Sequence, residues 1–290
     1  MNIILKLLIF CIVLFIYIHI CFYLKTSNDL EIYEIEQFSK PRLEDICDLR
    51  QPVVFNNFNG DFLQCLAIDN ISKQYGAFDM KIQESNKYPL IAPVPFPLKK
   101  AKDIISDKKK YYISENNEDF LTETGLRKEL QQHDSLFRPY LVSNCMYDIK
   151  IASENAITPL RYDLNYRNFY CVIEGGVTIK LAPPKNSKYL YLNKDYDSFQ
   201  FTSPINPWDV QEKYLNDYDK IKFLEIKLQP GKMLFIPAYW WYSVKFDKDS
   251  SICLFSYRTY MNNVALIPEF VMKILQSQNI KHLVAKKMAL

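Results

Sequence analysis

The chain has 290 residues, with 36 basic and 33 acidic side chains, and it is rich in tyrosine (21) and phenylalanine (19). Almost half of its residues are hydrophobic, which is typical of a folded protein and excludes an intrinsically disordered one. The net charge of +3 is small and spread along the chain, so we expect no nucleic-acid partner. The high aromatic content favours a β-rich core.

An uncharged apolar segment occupies residues 7–24 and reads LLIFCIVLFIYIHICFYL. This length is sufficient to cross the hydrocarbon core of a bilayer as a helix. Lys6 and Lys25 flank the segment, and lysines in such positions extend their ammonium groups to the membrane surface. We therefore predict a transmembrane signal-anchor over residues 1–25, with the lipid bilayer as the partner of residues 7–24.

A cleaved signal peptide is the alternative reading of this segment. The apolar region of a signal peptide is usually shorter and ends in small residues, whereas this one ends CFYLK at residues 21–25. The positive charges that flank the span favour a cytosolic amino terminus, because the terminal amine and Lys6 precede the span whereas Lys25 alone follows it directly. We expect a single-pass membrane protein whose folded domain lies on the non-cytosolic side.

The segment after the anchor, residues 26–40, is polar and acidic and is interpreted as a tether. Residues 50–55 (RQPVVF) predict a strand, and residues 60–77 and 116–132 have helix-like patterns. Residues 78–113 alternate short strand patterns with proline-rich turns, and their lysine runs are interpreted as solvated loops.

Short β-type runs separated by turns dominate the chain from residue 136 to residue 260. The strongest of these runs are Phe169–Leu181, Phe223–Leu228, Met233–Pro237, Trp241–Phe246 and Ile252–Tyr257. We predict one folded domain over residues 41–262.

A helix is predicted over residues 263–290, because apolar residues recur there at helical spacing. Pro268 suits a first helical turn, and lysines near the end complement the helix dipole. The helix is expected to pack on its own domain. A homodimer contact through the same helix is the alternative.

Two motifs carry the argument about function. Residues 158–163 read TPLRYD, followed by NFYCVIEG at 168–175 and LAPP at 181–184; later, residues 229–244 read QPGKMLFIPAYWWYSV. Together they resemble the JmjC-like cupins of the factor-inhibiting-HIF type, whose pattern is T-P-x-H-x-D, N-F, P-P and P-G-D-x-L-x-I-P-x-x-W-W-H. The resemblance covers about residues 41–260. It implies a mainly β fold with added helices, a double-stranded β-helix or jelly-roll, behind the N-terminal helix.

The resemblance also implies a metal site that this chain has lost. In the family, two histidines and one carboxylate hold Fe(II) and leave positions open for 2-oxoglutarate and oxygen. Asp163 matches the carboxylate, but Arg161 and Tyr242 stand where the two histidines belong. The three histidines of the chain all lie outside the motifs: His19, His133 and His282. We therefore predict no metal and no cofactor, although the family would use Fe(II) and 2-oxoglutarate.

The positions that would bind the cosubstrate are altered as well. The resemblance implies that Thr158 contacts 2-oxoglutarate, that a basic clamp stands at Val177, and that an asparagine stands at Ser256. Valine cannot pair with a carboxylate, and the asparagine is replaced by serine. Thr158, Val177 and Ser256 are therefore interpreted as a vestigial cosubstrate pocket.

Arg161 and Tyr242 suggest what fills the place of the metal. Alternate residues of a strand face the same side, so Arg161 should lie beside Asp163. A guanidinium stays protonated and cannot coordinate a metal, but it can neutralise a carboxylate. We predict a cluster of Arg161, Asp163 and Tyr242 in which the tyrosine hydroxyl donates to the carboxylate, because a buried carboxylate needs a partner.

Three functions are consistent with these features. The first is a non-catalytic pseudo-oxygenase that acts as a binding or scaffold module for an unidentified protein partner. The second is an Fe(II)- and 2-oxoglutarate-dependent hydroxylase-like enzyme with an atypical metal site. The third is a structural membrane or assembly protein. No catalytic residue is assigned from the sequence.

Overall fold

The computed structural model describes residues 3–36, 39–56, 61–85, 92–107, 110–196 and 198–279. The α-helices in these ranges are α1 (Ile3–Leu24), α2 (Lys40–Asp48), α3 (Ile68–Tyr75), α4 (Leu98–Ser106), α5 (Glu118–Glu123), α6 (Leu126–His133), α7 (Leu215–Tyr218), α8 (Tyr260–Ala265) and α9 (Ile267–Asn279). The strands are β1 (Tyr33–Ile35), β2 (Val53–Phe55), β3 (Asp79–Glu84), β4 (Val94–Pro97), β5 (Tyr112–Ser114), β6 (Val142–Ala152), β7 (Arg161–Tyr162), β8 (Arg167–Glu174), β9 (Val177–Ala182), β10 (Asn193–Asp195), β11 (Gln200–Thr202), β12 (Leu224–Leu228), β13 (Met233–Pro237), β14 (Trp241–Phe246) and β15 (Ser250–Thr259).

The strands form two sheets. The larger has nine strands in the order β1-β2-β13-β8-β15-β6-β5-β3-β4, and the smaller has six in the order β10-β11-β7-β14-β9-β12. All pairings are antiparallel except that of β1 with β2. The predicted mainly β architecture with added helices is the one the structure has.

One apolar core lies between the two sheets. Tyr170 and Leu234 of the larger sheet pack with Ile179 and Val244 of the smaller sheet, and all four are buried. A second core lies on the outer face of the larger sheet, beneath α2, α4, α5 and α6. Both faces of its central strands are therefore buried, which explains why those strands read as nearly continuous apolar runs.

The predicted run Phe169–Leu181 is two strands, β8 and β9, joined by a tight turn. Gly175 in this turn has φ of 67°, a conformation that glycine adopts without the steric cost of a side chain. A Cβ atom at this position would lie only 2.5 Å from the Ser250 hydroxyl oxygen. The turn therefore requires glycine both for its conformation and for its close contact with the β14–β15 turn.

Helix α4 corrects the prediction for residues 78–113. Leu98, Ala101 and Ile105 are buried at helical spacing, while Lys99 and Lys100 lie on the exposed side. The lysine pair is solvated as expected, but it belongs to an amphipathic helix and not to a loop. The exposed lysines mask the helical spacing of the apolar residues in the sequence. Lys108 and Lys109 lie outside the described residues.

Helix α1 has 22 residues, none of them buried. In the part of the chain that the structure describes, it is the one helix long and apolar enough to cross a membrane, a test that a signal sequence also passes. Its last turn contacts the domain. Arg50 places its guanidinium over the rings of Phe22 and Tyr166, 5.1 and 4.4 Å from their centroids, and Tyr23 packs edge-on against Tyr166.

The segment interpreted as a tether, residues 26–40, is packed against the domain where it is described. Gln51 donates its side-chain amide to the Ser27 hydroxyl oxygen at 3.2 Å and to Asp29 Oδ2 at 2.7 Å. Residues 33–35 then form β1, which pairs in parallel with β2. The helix and the domain are thus joined by ordered backbone as far as residue 36; residues 37 and 38 lie outside the described residues.

Replacing Gln51 with alanine should loosen this segment without unfolding the domain. The loss of two side-chain hydrogen bonds is expected to cost about 1 kcal/mol locally, so trypsin should cleave after the exposed Lys25 about five times faster. The measurement is limited proteolysis of the full chain, followed by mass spectrometry of the fragment that begins at Thr26. Gln278→Ala, at an exposed position of α9, is the control and should leave that rate unchanged.

The predicted C-terminal helix is two helices, α8 and α9, with the break at Leu266. Helix α9 packs on its own domain: the ring of Phe270 stacks on Phe199 with centroids 5.6 Å apart, and Gln276 donates to Asp195 Oδ1 at 3.2 Å. Residues 280–290 lie outside the described residues. The homodimer contact through this helix stays a prediction.

Candidate functional site

Arg161 lies in β7, where it pairs across the sheet with Tyr242 of β14. Its side chain is almost completely buried. The Nη1 and Nη2 atoms donate to Oε1 and Oε2 of Glu115 at 3.0 and 2.5 Å, and Nε donates to the Tyr242 hydroxyl oxygen at 3.1 Å. A two-pronged guanidinium–carboxylate contact of this kind fixes both groups in one plane. Arg161 is therefore a structural cation held at the centre of the site.

Glu115 follows β5 and is fully buried, and it binds two cations. Besides Arg161, Lys150 of β6 places its Nζ 3.1 Å from Oε2, and Gln83 donates to Oε1 at 3.2 Å. Burial alone would raise the pKa of Glu115, but Arg161 and Lys150 together hold it well below its usual value. Glu115 is thus an anion at every physiological pH.

Tyr242 connects the arginine to Asp163. Its hydroxyl donates to Asp163 Oδ2 at 2.8 Å while accepting from Arg161 Nε. Burial raises the pKa of Tyr242, and the adjacent Asp163 raises it further against the opposing effect of Arg161. The phenol therefore keeps its proton and acts as a donor to the carboxylate.

The structure thus brings Arg161, Asp163 and Tyr242 together, as the sequence suggested, but with a different charge partner. We expected the guanidinium to neutralise Asp163. Its two terminal nitrogens instead bind Glu115, and Asp163 is reached through the tyrosine hydroxyl. The reason is geometric: Glu115, directly after β5, offers a carboxylate that meets the guanidinium fork in a two-pronged contact.

The residues present do not fit the Fe(II) of the family. A guanidinium has no lone pair for a metal, and the Tyr242 hydroxyl donates a hydrogen bond to Asp163. One half-buried carboxylate then remains where the family uses two imidazoles and a carboxylate. Within the described residues, no group of three or more His, Cys, Asp or Glu side chains could hold a metal ion.

The three side chains assigned to the vestigial cosubstrate pocket make contacts within the chain. Thr158 Oγ1 accepts from the backbone N–H of Val244 at 2.8 Å. Val177 is fully buried in the core between the sheets. The Ser256 hydroxyl donates to Asn168 Oδ1 at 2.8 Å. Threonine and serine thus tie strands together, and valine contributes only apolar contacts.

Two residues of the site, Glu115 and Lys150, were missed in the sequence. Lys150 had a signal: residues 148–152 read DIKIA, so charged side chains alternate with isoleucines in a strand whose two faces are both buried. A buried lysine needs an anion, which pointed to a missing carboxylate. Glu115 had no such signal, since it is one acid in the polar stretch SENNED.

Replacing Tyr242 with phenylalanine should lower the free energy of unfolding by about 1.5–3 kcal/mol. The ring would still fit, but Arg161 Nε would lose an acceptor and Asp163 a donor. The measurement is denaturant unfolding of the purified protein. Tyr33→Phe, at an exposed position, is the matched control and should change the value by less than about 0.5 kcal/mol.

The two-sheet barrel and its site define the class of this protein, a cupin of the JmjC-like type. The model of the family described as the cupin-like domain matches residues 98–259, more than half of the chain, and the chain therefore belongs to that family.

Its relatives include JmjC domain-containing proteins. It is 24% identical over 238 residues to JmjC domain-containing protein D of Dictyostelium discoideum, covering 68% of this chain and 53% of that protein. It is 30% identical over 105 residues to Jumonji C domain-containing protein 5 of Drosophila melanogaster, covering 36% and 26%. It is 29% identical over 96 residues to human HSPB1-associated protein 1, covering 33% and 20%. The chain spans about half of the first relative and a smaller share of the others.

Proposed function

We propose that this protein is a membrane-anchored pseudo-oxygenase, a cupin without metal chemistry that acts as a binding or scaffold module. The observation that carries the proposal is the buried pair of Arg161 with Glu115 at the position where the family holds iron. A metal could enter only if this cation left, and Glu115 would then be buried with Lys150 alone. The charge of the site is already balanced without a metal.

Helix α1 supports the membrane part of the proposal. Its 22 residues correspond to about 33 Å of helix, slightly more than the hydrocarbon thickness of about 30 Å. Residues 3–18 of the helix are exposed throughout, so their apolar surface needs lipid to cover it. The packing of Phe22 on Arg50 and of Tyr23 on Tyr166 favours an uncleaved anchor, because the last turn of α1 is part of the fold. The flanking charges favour a domain on the non-cytosolic side.

A protein partner is the counterpart that fits a barrel without a cofactor. The name of one group of relatives, HSPB1-associated protein 1, records an association with another protein, which supports a binding role in this branch of the family. The balanced surface charge gives no reason to expect nucleic acid. Proximity labelling from each side of the membrane would identify the partner and would also test the topology.

The deciding experiment is an assay of the purified full chain in detergent, loaded with Fe(II) under anaerobic conditions. We expect iron content far below one equivalent, no conversion of 2-oxoglutarate to succinate, and no thermal shift with 2-oxoglutarate. Stoichiometric iron together with succinate formation would overturn the proposal. It would favour the hydroxylase-like alternative, for which the retained Asp163 and Thr158 are the supporting residues.

A purely structural membrane or assembly role is the third candidate. It shares the anchor and the metal-free barrel with the proposal and differs in needing no specific binding partner. A labelled partner that binds the purified full chain with a defined stoichiometry supports the scaffold role. Recovery of copies of the chain alone would favour assembly.

A further inference from the structure

Three exposed apolar side chains lie at the point where α1 meets the domain. Tyr140, Leu141 and Tyr260 are exposed to 66%, 74% and 64%, although the surrounding strands bury most residues of this kind. They are neighbours in the fold, because Tyr140 precedes Leu141 and the backbone N–H of Tyr260 donates to the Leu141 carbonyl oxygen at 3.2 Å; we refer to the three as the patch. Tyr260 is also the first residue of α8, which packs against α1.

The position of the patch follows from how α1 leaves the domain. Residues 3–18 of the helix are exposed throughout, and its partly buried residues are confined to the last two turns: His19, Ile20 and Tyr23. Since α8 is only six residues long and packs against α1, both of its ends lie near the depth at which the helix would emerge from a bilayer. The patch is therefore level with the headgroup region.

Leu141 combines a strained backbone conformation with an exposed side chain. Its φ is 53°, in the left-handed region where a bulky residue pays a steric cost that glycine avoids. A leucine that projects into water at such a position gains no burial to offset this cost. Contact with an apolar environment outside the chain would supply that burial.

The chemistry around the patch matches a bilayer surface. Tyrosine rings prefer the boundary between headgroups and acyl chains, where the ring is apolar and the hydroxyl is hydrated. Lys40 lies with its Nζ 5.4 Å from the centroid of the Tyr140 ring, and the exposed Lys25 follows α1. The Lys40 ammonium also donates to the Ser135 carbonyl oxygen at 2.9 Å, and its remaining donors, like the exposed Lys25, can meet lipid phosphates.

We propose that Tyr140, Leu141 and Tyr260 form a second membrane contact, a patch that inserts into the headgroup–acyl boundary beside α1. This inference rests on the proposed anchoring of the chain by α1 and goes beyond it, because it assigns an orientation to the domain. The end of the barrel that holds the patch faces the lipid. The turn at Lys248–Asp249, at the opposite end of β15 and about 30 Å away along that ten-residue strand, faces the aqueous phase.

The test uses the full chain reconstituted in vesicles of phosphatidylcholine with a minor fraction of phosphatidylserine. The photoreactive residue p-benzoylphenylalanine replaces Leu141 or Tyr260 in separate variants, Ile12 in a variant that reports on the anchor, and Lys248 in a matched control at the far end. After illumination, lipid adducts are counted by mass spectrometry of the intact chain. Each probe replaces an exposed side chain, so folding is retained, and circular dichroism verifies this.

We expect lipid adducts at positions 12, 141 and 260 and at most a tenth of that yield at position 248. Adducts at position 12 without adducts at 141 and 260 would overturn the patch and leave the anchor intact. Absence of adducts at position 12 would overturn the anchor, and the patch with it. Equal yields at 248 and 141 would show an unoriented domain and would also contradict the proposal.

Discussion

Replacement of Glu115 by glutamine is expected to lower the free energy of unfolding by about 3–5 kcal/mol, the usual result of removing one partner from a buried ion pair. The loss is large here because the carboxylate serves both Arg161 and Lys150, so two buried cations would lose their anion at once. The measurement is denaturant unfolding of the purified chain at neutral pH.

The matched control is Glu118→Gln, three residues along the chain. Glu118 also pairs with an arginine, Arg127, at 2.5 Å, but its side chain is half exposed. A surface pair of this kind contributes about 0–1 kcal/mol. Similar losses for the two variants would mean that the Glu115 pairs are hydrated, and the account of a closed charge cluster would then be wrong.

The pH dependence of the Glu115→Gln effect gives an independent check. The pKa of Glu115 is lowered in the folded protein, so its ionised form stabilises the fold above the pKa of the unfolded chain, which is about 4.3. This contribution is lost as the pH falls through the lower folded value. The difference in stability between wild type and variant should therefore be constant from about pH 6 to 8 and should shrink below about pH 4.

The double substitution Arg161→His and Tyr242→His is expected to create a metal site between β7 and β14. The two positions face each other across β7 and β14, and Asp163, just after β7, lies 2.8 Å from the Tyr242 hydroxyl oxygen. Two imidazoles and one carboxylate should bind about one equivalent of Co(II), a spectroscopic substitute for Fe(II). The measurement is the visible absorption of bound Co(II) during titration.

Two further variants make this result specific. Adding Asp163→Ala to the double variant should abolish Co(II) absorption, whereas each single histidine variant should bind weakly or not at all. The double variant should also be less stable than wild type, because Glu115 loses Arg161, and Co(II) should restore part of that stability. A folded double variant without Co(II) binding would show that Asp163 is not placed as a third ligand.

Whether a residue of the site could be predicted depends on whether it lies in a recognisable sequence motif. Arg161, Asp163 and Tyr242 could be located because two ordered motifs fix their positions on facing strands. Glu115 could not, since its partner is 46 residues away and the pairing depends on how the two sheets that hold β5 and β7 pack together. An isolated acid in a polar stretch does not show which cation it will meet.

The fold shows the same division. Strands β8, β9 and β12 to β15 could be predicted from their apolar runs and turns, because short-range pattern decides them, whereas the short strands β10 and β11 were missed. Helix α4 was missed because its two exposed lysines obscured the spacing of Leu98, Ala101 and Ile105. The packed conformation of residues 26–36 was missed because it depends on hydrogen bonds to Gln51 and on pairing with β2. No local sequence pattern reveals these contacts.

The ion cluster of Arg161, Glu115 and Lys150 also bears on how this barrel can evolve. A return to metal binding would require histidine at positions 161 and 242, and the first step at position 161 leaves the Glu115 carboxylate with one cation before any ligand set is complete. A step at Glu115 first leaves two unpaired cations. Each single-mutation path back therefore passes through a less stable intermediate that has gained no metal. If the protein is the metal-free scaffold proposed above, this barrier makes the loss of the metal site hard to reverse.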